Sequence, residues 1–321
     1  MDEALSGVFL PSYLVQWMGG MALSDRSLPV RAVLIQNLVM RIAHCQFEPW
    51  CGEFDHNLKR FEQGLKRADS ERADIVSFPE CFLTGYPDDE EGARKVAFAA
   101  DSEQMARVLD VTSRHEALAV VGFNELRGAD LYNTAVVAHR GHLMGLYSKC
   151  SAYMKFHKQG RAFPVWEHKG VKFGVIICSD GGYIEPARIL ALRGARIIFA
   201  PHFNSISAPG LLGHFMKVRA DHMARANENS VYFVRANNVV IDPKKSGLTR
   251  GETVGYGDSY IMDPGGEIVA RSRRHVEDFI MADVDLSKGP DRAWGLTKSA
   301  WSFREFGSFL AEAAKESEKA G

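Results

Sequence analysis

The chain has 321 residues, with 39 lysines and arginines against 40 aspartates and glutamates, a net charge of −1. At about 150 residues per domain the length alone predicts roughly two domains, and 46% apolar with 25% charged residues is ordinary for a globular protein. Near-zero charge leaves no basic footprint for nucleic acid, no stretch has the roughly 18 apolar residues that a membrane span needs, and five cysteines without paired spacing argue against a disulfide framework and for free thiols in the cytoplasm.

Residues 1–39 begin with Asp2 and Glu3 where a signal peptide would carry positive charge, and Pro11, Ser12 and Gln16 interrupt the apolar run. They are expected to form a short amphipathic extension. Residues 40–46 read as a buried strand, followed by a helical face on Phe54, Leu58, Phe61 and Leu65. Residues 73–79 are the next strand, 96–117 a helix and 118–123 a third strand. Residues 132–139 and 142–147 flank Arg140-Gly141, a hairpin signal. Strands then follow at 171–178, 196–200 and 230–235, with helices at 184–193 and 214–229. Two strands at 257–262 and 267–270 surround the turn Asp263-Pro-Gly-Gly266, and 279–284 closes the set. Residues 300–319 read as a partly polar helix that docks as an arm. Helices and strands alternate with no Pro/Gly/Ser-rich linker between them, which predicts mixed α/β architecture with helices packed on sheet. One large domain over residues 40–287, flanked by an extension (1–39) and a C-terminal arm (288–321), fits better than two.

Several chemistries are absent from the motifs. There is no phosphate loop; Gly255-Tyr-Gly257 has Tyr260 where a dinucleotide fingerprint needs glycine. No Cys-x-x-Cys or His-Glu-x-x-His supports a zinc site. Three places instead put a reactive side chain where a strand meets a loop, the usual position of α/β sites. Glu80 follows a buried strand and Pro79; Lys149 ends Gly145-Leu-Tyr-Ser-Lys149; Cys178 ends the apolar run Val175-Ile-Ile-Cys178. Taken singly these are a loop acid, a solvated lysine and a small buried hydrophobe. Together they make a nucleophile, a base that takes its proton and a cation that steadies a developing oxyanion. The backbone N–H at Ser179 is a further oxyanion donor.

With these motifs in order, the chain resembles the nitrilase superfamily of carbon–nitrogen hydrolases from about Met40 to Asp285. Phe78-Pro-Glu80 with Thr84-Gly-Tyr86 is similar to the glutamate motif, and Tyr132-Asn-Thr-Ala135 followed by Tyr147-Ser-Lys149 to the lysine motif. Gly174-Val-Ile-Ile-Cys178-Ser-Asp180, then Glu185 and Arg188, is similar to the cysteine motif. The resemblance implies a four-layer α-β-β-α sandwich, a Glu80–Lys149–Cys178 triad, neither metal nor cofactor, and homodimers or larger homo-oligomers. A second glutamate usual in the family between the lysine and Gly160 has no counterpart, since residues 150–159 contain no acid. His157 is the candidate substitute as a partner for Lys149.

Cys178-Ser-Asp180 is more similar to the amidase and carbamoylase branches than to the Cys-Trp-Glu of true nitrilases. The arginine pair with which carbamoylases grip a substrate carboxylate falls on Gly181 and Gly182, which favours an uncharged amide. His202, Phe203 and Asn204 follow a strand end and are candidate pocket residues, with His157. The expected activity is hydrolysis of a small amide through a thioester on Cys178, releasing ammonia or an amine. An N-carbamoyl hydrolase, acyl transfer to an amine, and a non-catalytic module of the same fold stay open at this point.

Overall fold

A computed structural model describes residues 39–248, 253–287 and 303–320. Nearly all of the expected N-terminal extension, and residues 288–302 of the expected C-terminal arm, lie outside the described residues. Two six-stranded sheets organise the rest. The first joins β1 (Val39–Gln46), β2 (Ile75–Ser77), β3 (Leu118–Arg127), β4 (Asp130–His139) and β5 (His142–Ser148) in sequence, with β14 (Asp278–Asp285) outside β1. The second contains β6 (Val165–His168), β7 (Val171–Val175), β8 (Ile197–His202), β10 (Tyr232–Asn237), β12 (Tyr260–Met262) and β13 (Ile268–Arg271), in the order β13-β12-β10-β8-β7-β6. β9 (Ile206–Ser207) and β11 (Thr253–Val254) form a small separate pair. In each large sheet three central strands pair in parallel and every other pairing is antiparallel.

Period-two burial sorts the side chains between layers. Along β1, Met40 and Ile42 join Val120, Phe173 and Phe199 in the core between the sheets. Ala43 and Cys45 face the other way, onto α1 (Phe54–Ser70) and α3 (Glu103–Ser113), where Leu58, Phe61, Leu65 and Val108 are buried. The second sheet repeats the arrangement: Phe199 points inward, while Ile198 and Ala200 pack against α4 (Ile184–Leu192) and α5 (Leu211–Asn229). The result is the four-layer α-β-β-α sandwich. A final helix, α6 (Phe303–Ala320), carries Phe306, Phe309 and Leu310 exposed. Among the described residues no helix is long and apolar enough to cross a membrane.

Two local expectations are corrected. The helix expected over 96–117 is shorter, α3 starting where Ser102 accepts from Met105 N at 3.3 Å, and a separate helix, α2 (Glu90–Val96), which starts where Asp89 accepts from Gly92 N at 2.8 Å, ends where the expected one begins. The strand expected through Cys178 stops at Val175, because Cys178 takes a left-handed φ of 47° and opens a short 3-10 turn, Cys178–Gly182. The strand β6 has no counterpart in the sequence reading. The hairpin is as expected: Arg140 (φ 48°) and Gly141 (φ 81°) are both left-handed, as a two-residue turn matching strand twist requires.

His44 fastens the sheets together. Its ring nitrogens lie 3.0 Å from the carbonyl oxygens of Ser77 in the first sheet and Asn237 in the second. A neutral ring has one N–H and so donates to one carbonyl at a time, to Asn237 in the tautomer whose Nδ1 is free to accept from Ser77 Oγ 3.3 Å away, a hydroxyl that also has the Ala43 carbonyl within reach. Burial pushes its pKa down to about 4, against the partial offset of the two carbonyls. The unfolded chain protonates this group near 6.5. Between those values the unfolded state holds a proton that the fold refuses, so stability falls as pH drops from about 6.5 towards 4, by about 1.4 kcal/mol per pH unit, and this group has no influence above that window. Urea midpoints measured across it are expected to decline for the parent and less steeply for His44→Gln; equal slopes would refute the assignment.

Candidate active site

The first sheet supplies a buried ion pair. Glu80 leaves β2 through Phe78-Pro79 and is 1% exposed, as is Lys149, which leaves β5. Lys149 Nζ donates to Glu80 Oε1 at 2.6 Å, and Asn133 Nδ2 on β4 donates to the same oxygen at 2.7 Å. The other oxygen, Oε2, accepts from the backbone N–H of Phe203 at 2.8 Å, a donor from the second sheet. Burial pushes Lys149 down, but Glu80 foremost, with Cys178, Tyr86 and Asp180, outweighs it and holds the ammonium well above the usual lysine range. Glycine at 122 is needed for this placement, since a Cβ there would lie 2.4 Å from Cys81 N and 2.9 Å from Pro79 O.

The second sheet supplies the sulfur. Its left-handed backbone, uncommon for a residue with a side chain, lifts Cys178 out of the line of β7. Burial first, then the charge of Glu80, pushes the thiol up to about 12; Lys149 and the Phe203 N–H pull it down only partly. The resting sulfur is therefore protonated at neutral pH. Asn204 Nδ2 lies 3.7 Å from Sγ. Two residues on, fully buried Asp180 accepts from Ile177 N (2.9 Å), Tyr147 Oη (2.7 Å), Ser151 N (2.7 Å) and the Cys150 thiol (3.2 Å). It ties the turn that carries Cys178 to the loop after Lys149.

Lys149, Cys178 and Ser179 line a cavity of about 700 Å³, with Glu80 behind Lys149. Of the expected pocket residues, His202, Phe203 and Asn204 line it. The Phe203 ring stacks on Tyr86 (centroids 4.9 Å apart, 9° between planes). His202 donates through Nδ1 to Ala200 O at 2.6 Å and is kept neutral by burial and by Arg235. His157 does not line the cavity. Its Nε2 lies 2.9 Å from Asn124 Oδ1, and burial followed by the Lys149 charge lowers it to about 4, so it is a neutral neighbour rather than a carboxylate-like partner. Sequence reasoning passed over Asn133, Tyr86 and Arg235. The first two stand inside the quoted motifs, whereas Arg235 gave only the signal of a charge inside an apolar strand.

The mouth holds Lys217 bonded to Asp221 at 2.8 Å, with Asp88 nearby. Gly181 is tight for a side chain, as a Cβ would sit 3.1 Å from His222 Nε2. A Cβ at Gly182 would meet Lys217 Nζ at 3.6 Å.

The family model for carbon-nitrogen hydrolase matches residues 41–290. A nitrilase from Pyrococcus abyssi is 30% identical over 255 residues, covering 77% of this chain and 90% of the relative. A glutamine-dependent NAD(+) synthetase from Thermotoga maritima is 27% identical over 259 residues, covering 78% of this chain but only 42% of that longer protein. Among solved structures, a mutant of the amidase from Nesterenkonia sp. AN1, with the acetamide moiety of fluoroacetamide added covalently at its active site cysteine, superposes with a TM-score of 0.66 at 22% identity. That match covers 77% of this chain and 91% of the amidase, and bears on the fold.

A buried pair is most costly when half of it is removed. Lys149→Met leaves Glu80 buried without its ammonium and is expected to lower stability by about 3–5 kcal/mol. The double variant Lys149→Met/Glu80→Gln should recover a large part of that loss in urea denaturation. A double variant as unstable as the sum of the singles would contradict the pairing.

Proposed function

Because the chain belongs to the carbon–nitrogen hydrolase family, we propose that it hydrolyses the C–N bond of a small uncharged amide, with Cys178 as nucleophile, Glu80 as shuttling acid and base, and Lys149 as oxyanion stabiliser. The observation that carries this reading is the junction of the two sheets: a buried carboxylate, paired with an ammonium at 2.6 Å, beside a thiol that opens onto the same cavity.

The protonation states support a definite order of events. A thiol with a pKa near 12 is a poor nucleophile unless its proton leaves as it attacks. Glu80 takes that proton while sulfur bonds to the amide carbonyl carbon. The carbonyl oxygen becomes an oxyanion facing the Lys149 ammonium and the Ser179 backbone N–H. At an effective dielectric near 20, opposite charges about 4 Å apart attract by about 4 kcal/mol. When the tetrahedral centre collapses, the C–N bond breaks and Glu80 returns its proton to the leaving nitrogen. Ammonia or an amine departs, leaving a thioester. Water then attacks it, Glu80 takes the water proton, and the C–S bond breaks. The sulfur recovers the proton and the product is a carboxylic acid.

An uncharged substrate is favoured by what surrounds the sulfur. Gly181 and Gly182 offer no guanidinium, and Lys217 at the mouth is bonded to Asp221 with Asp88 nearby, so among the described residues neither the turn after the sulfur nor this lysine presents an unpaired cation to a substrate carboxylate. The stacked Tyr86 and Phe203 make an apolar wall suited to an aliphatic or aromatic acyl group.

Ammonia release is the test, across small aliphatic and aromatic amides, glutamine, N-carbamoyl amines, N-carbamoyl amino acids and nitriles. Neutral amides are expected to be turned over. Cys178→Ala should lower the rate at least about a thousandfold, and Glu80→Gln by about a hundredfold or more. Parent-like hydrolysis by Cys178→Ala would overturn the mechanism, and release from carbamoyl amino acids alone would overturn the substrate class.

A further inference from the structure

We infer that Asn204 is a further catalytic residue, a side-chain donor to the reacting sulfur, and that the buried guanidinium of Arg235 is the residue that positions it. This rests on the reading of Cys178 as nucleophile.

An asparagine carboxamide has an oxygen and a nitrogen end of nearly the same shape, so its hydrogen-bond partners decide which end points where. Arginine decides it here, because a guanidinium can only donate. Arg235 Nη2 lies 2.6 Å from Asn204 Oδ1, which obliges the oxygen to face Arg235 and turns Nδ2 towards Cys178 Sγ, 3.7 Å away. The main chain is held as well, Asn204 N donating to Asn238 Oδ1 at 2.8 Å. With both its backbone and its oxygen fixed, the carboxamide presents one N–H to the sulfur without needing to reorient during reaction.

Arg235 is built for this and little else that faces the cavity. It is fully buried and belongs to β10, behind the cavity wall. Nη1 donates to the backbone oxygens of Gly257 (2.7 Å) and Asp258 (2.6 Å), and Nη2 also to Tyr256 Oη at 3.0 Å. These partners are neutral oxygens. The carboxylate of Asp258 turns instead to Arg219 (2.7 Å) and Arg274 (3.2 Å). Among the described residues no acid touches the guanidinium of Arg235, and its field helps to keep His202, His214 and His222 neutral around it. A cation bonded to the carboxamide oxygen polarises the amide and strengthens the opposite N–H as a donor. As Glu80 removes the thiol proton, Asn204 meets the charge that appears on sulfur, from a side chain distinct from Lys149.

The test uses Asn204→Asp, which retains an oxygen for Arg235 and so the buried contact, while replacing the donor before the sulfur by a charged acceptor. Alkylation of Cys178 by iodoacetamide is followed by mass spectrometry from neutral to alkaline pH, together with kcat and KM on the best amide found. Asn204→Asp is expected to shift the alkylation profile to higher pH and to lower kcat by about 100-fold, with KM changed far less. Arg235→Met, checked for folding by its thermal midpoint, should reproduce the direction of both effects, and Arg235→Lys should recover part of them. If the parent alkylates Cys178 selectively but Asn204→Asp matches it in pH profile and kcat, this inference fails and the proposed nucleophile stands. If Cys178→Ala hydrolyses the amide at the parent rate, the nucleophile itself is wrong and the inference falls with it.

Discussion

Everything at the site is arranged around two opposite charges removed from water. Glu80 and Lys149 are each 1% exposed, and taking a carboxylate and an ammonium out of solvent costs several kcal/mol apiece even after relaxation. Their mutual attraction offsets this only if the remaining hydrogen-bonding capacity is met, and the fold meets it on both carboxylate oxygens. Asn133 shares Oε1 with the ammonium, and the Phe203 N–H takes Oε2. The donors come from β4, from the end of β5 and from the segment after β8, so the carboxylate cannot be satisfied unless both sheets are in register. The pair is thus a checkpoint on how the sandwich closes as well as a chemical device.

The same constraint explains why the sheets are fastened by polar side chains in an otherwise apolar interface. His44 joins β1 to β10 through the carbonyl of Asn237. Gln46 joins β1 to the strands at the far edge by accepting from Ser259 (2.8 Å) and Ser272 (2.6 Å). Hydrophobic packing is roughly indifferent to small sliding of one layer over another, whereas hydrogen bonds near 3 Å are not. Glu80 and Cys178 belong to different sheets, so sliding would change their separation directly. The polar pins hold the geometry that the apolar core alone leaves soft.

Legibility in the sequence followed the range of the interactions. Glu80, Lys149 and Cys178 were readable because each stands where a buried run meets polar residues, and because the flanking motifs occur in a recognisable order. The layer assignment was readable from alternation, as in Met40 and Ile42 against Ala43 and Cys45. The break between α2 and α3 was obscured because residues 97–102 contain no proline or glycine; only Asp89 and Ser102, acting as caps, mark the two starts. The early end of β7 depends on a single left-handed residue whose side chain gives no hint of it. Arg235 was hidden most completely, since its partners lie 21 to 31 residues away in sequence and gather only once β10, β12 and the segment after β8 are in place.

The loop after Lys149 shows how a fold can satisfy the same physical need from another place in the sequence. Residues 150–159 carry no acid, and His157, the candidate substitute, is a neutral side chain bonded to Asn124. Yet the loop is not left without a carboxylate. Asp180 reaches across from the turn that carries Cys178 to accept from Ser151 N and from Tyr147 Oη, one on each side of Lys149, while also accepting from Ile177 N just before Cys178. Its charge contributes to holding the Lys149 ammonium protonated. A carboxylate in the loop would steady the lysine alone. One placed two residues after the sulfur couples the lysine's loop to the backbone of Cys178, so that the two groups to which the proposed mechanism gives a joint role are held by one side chain.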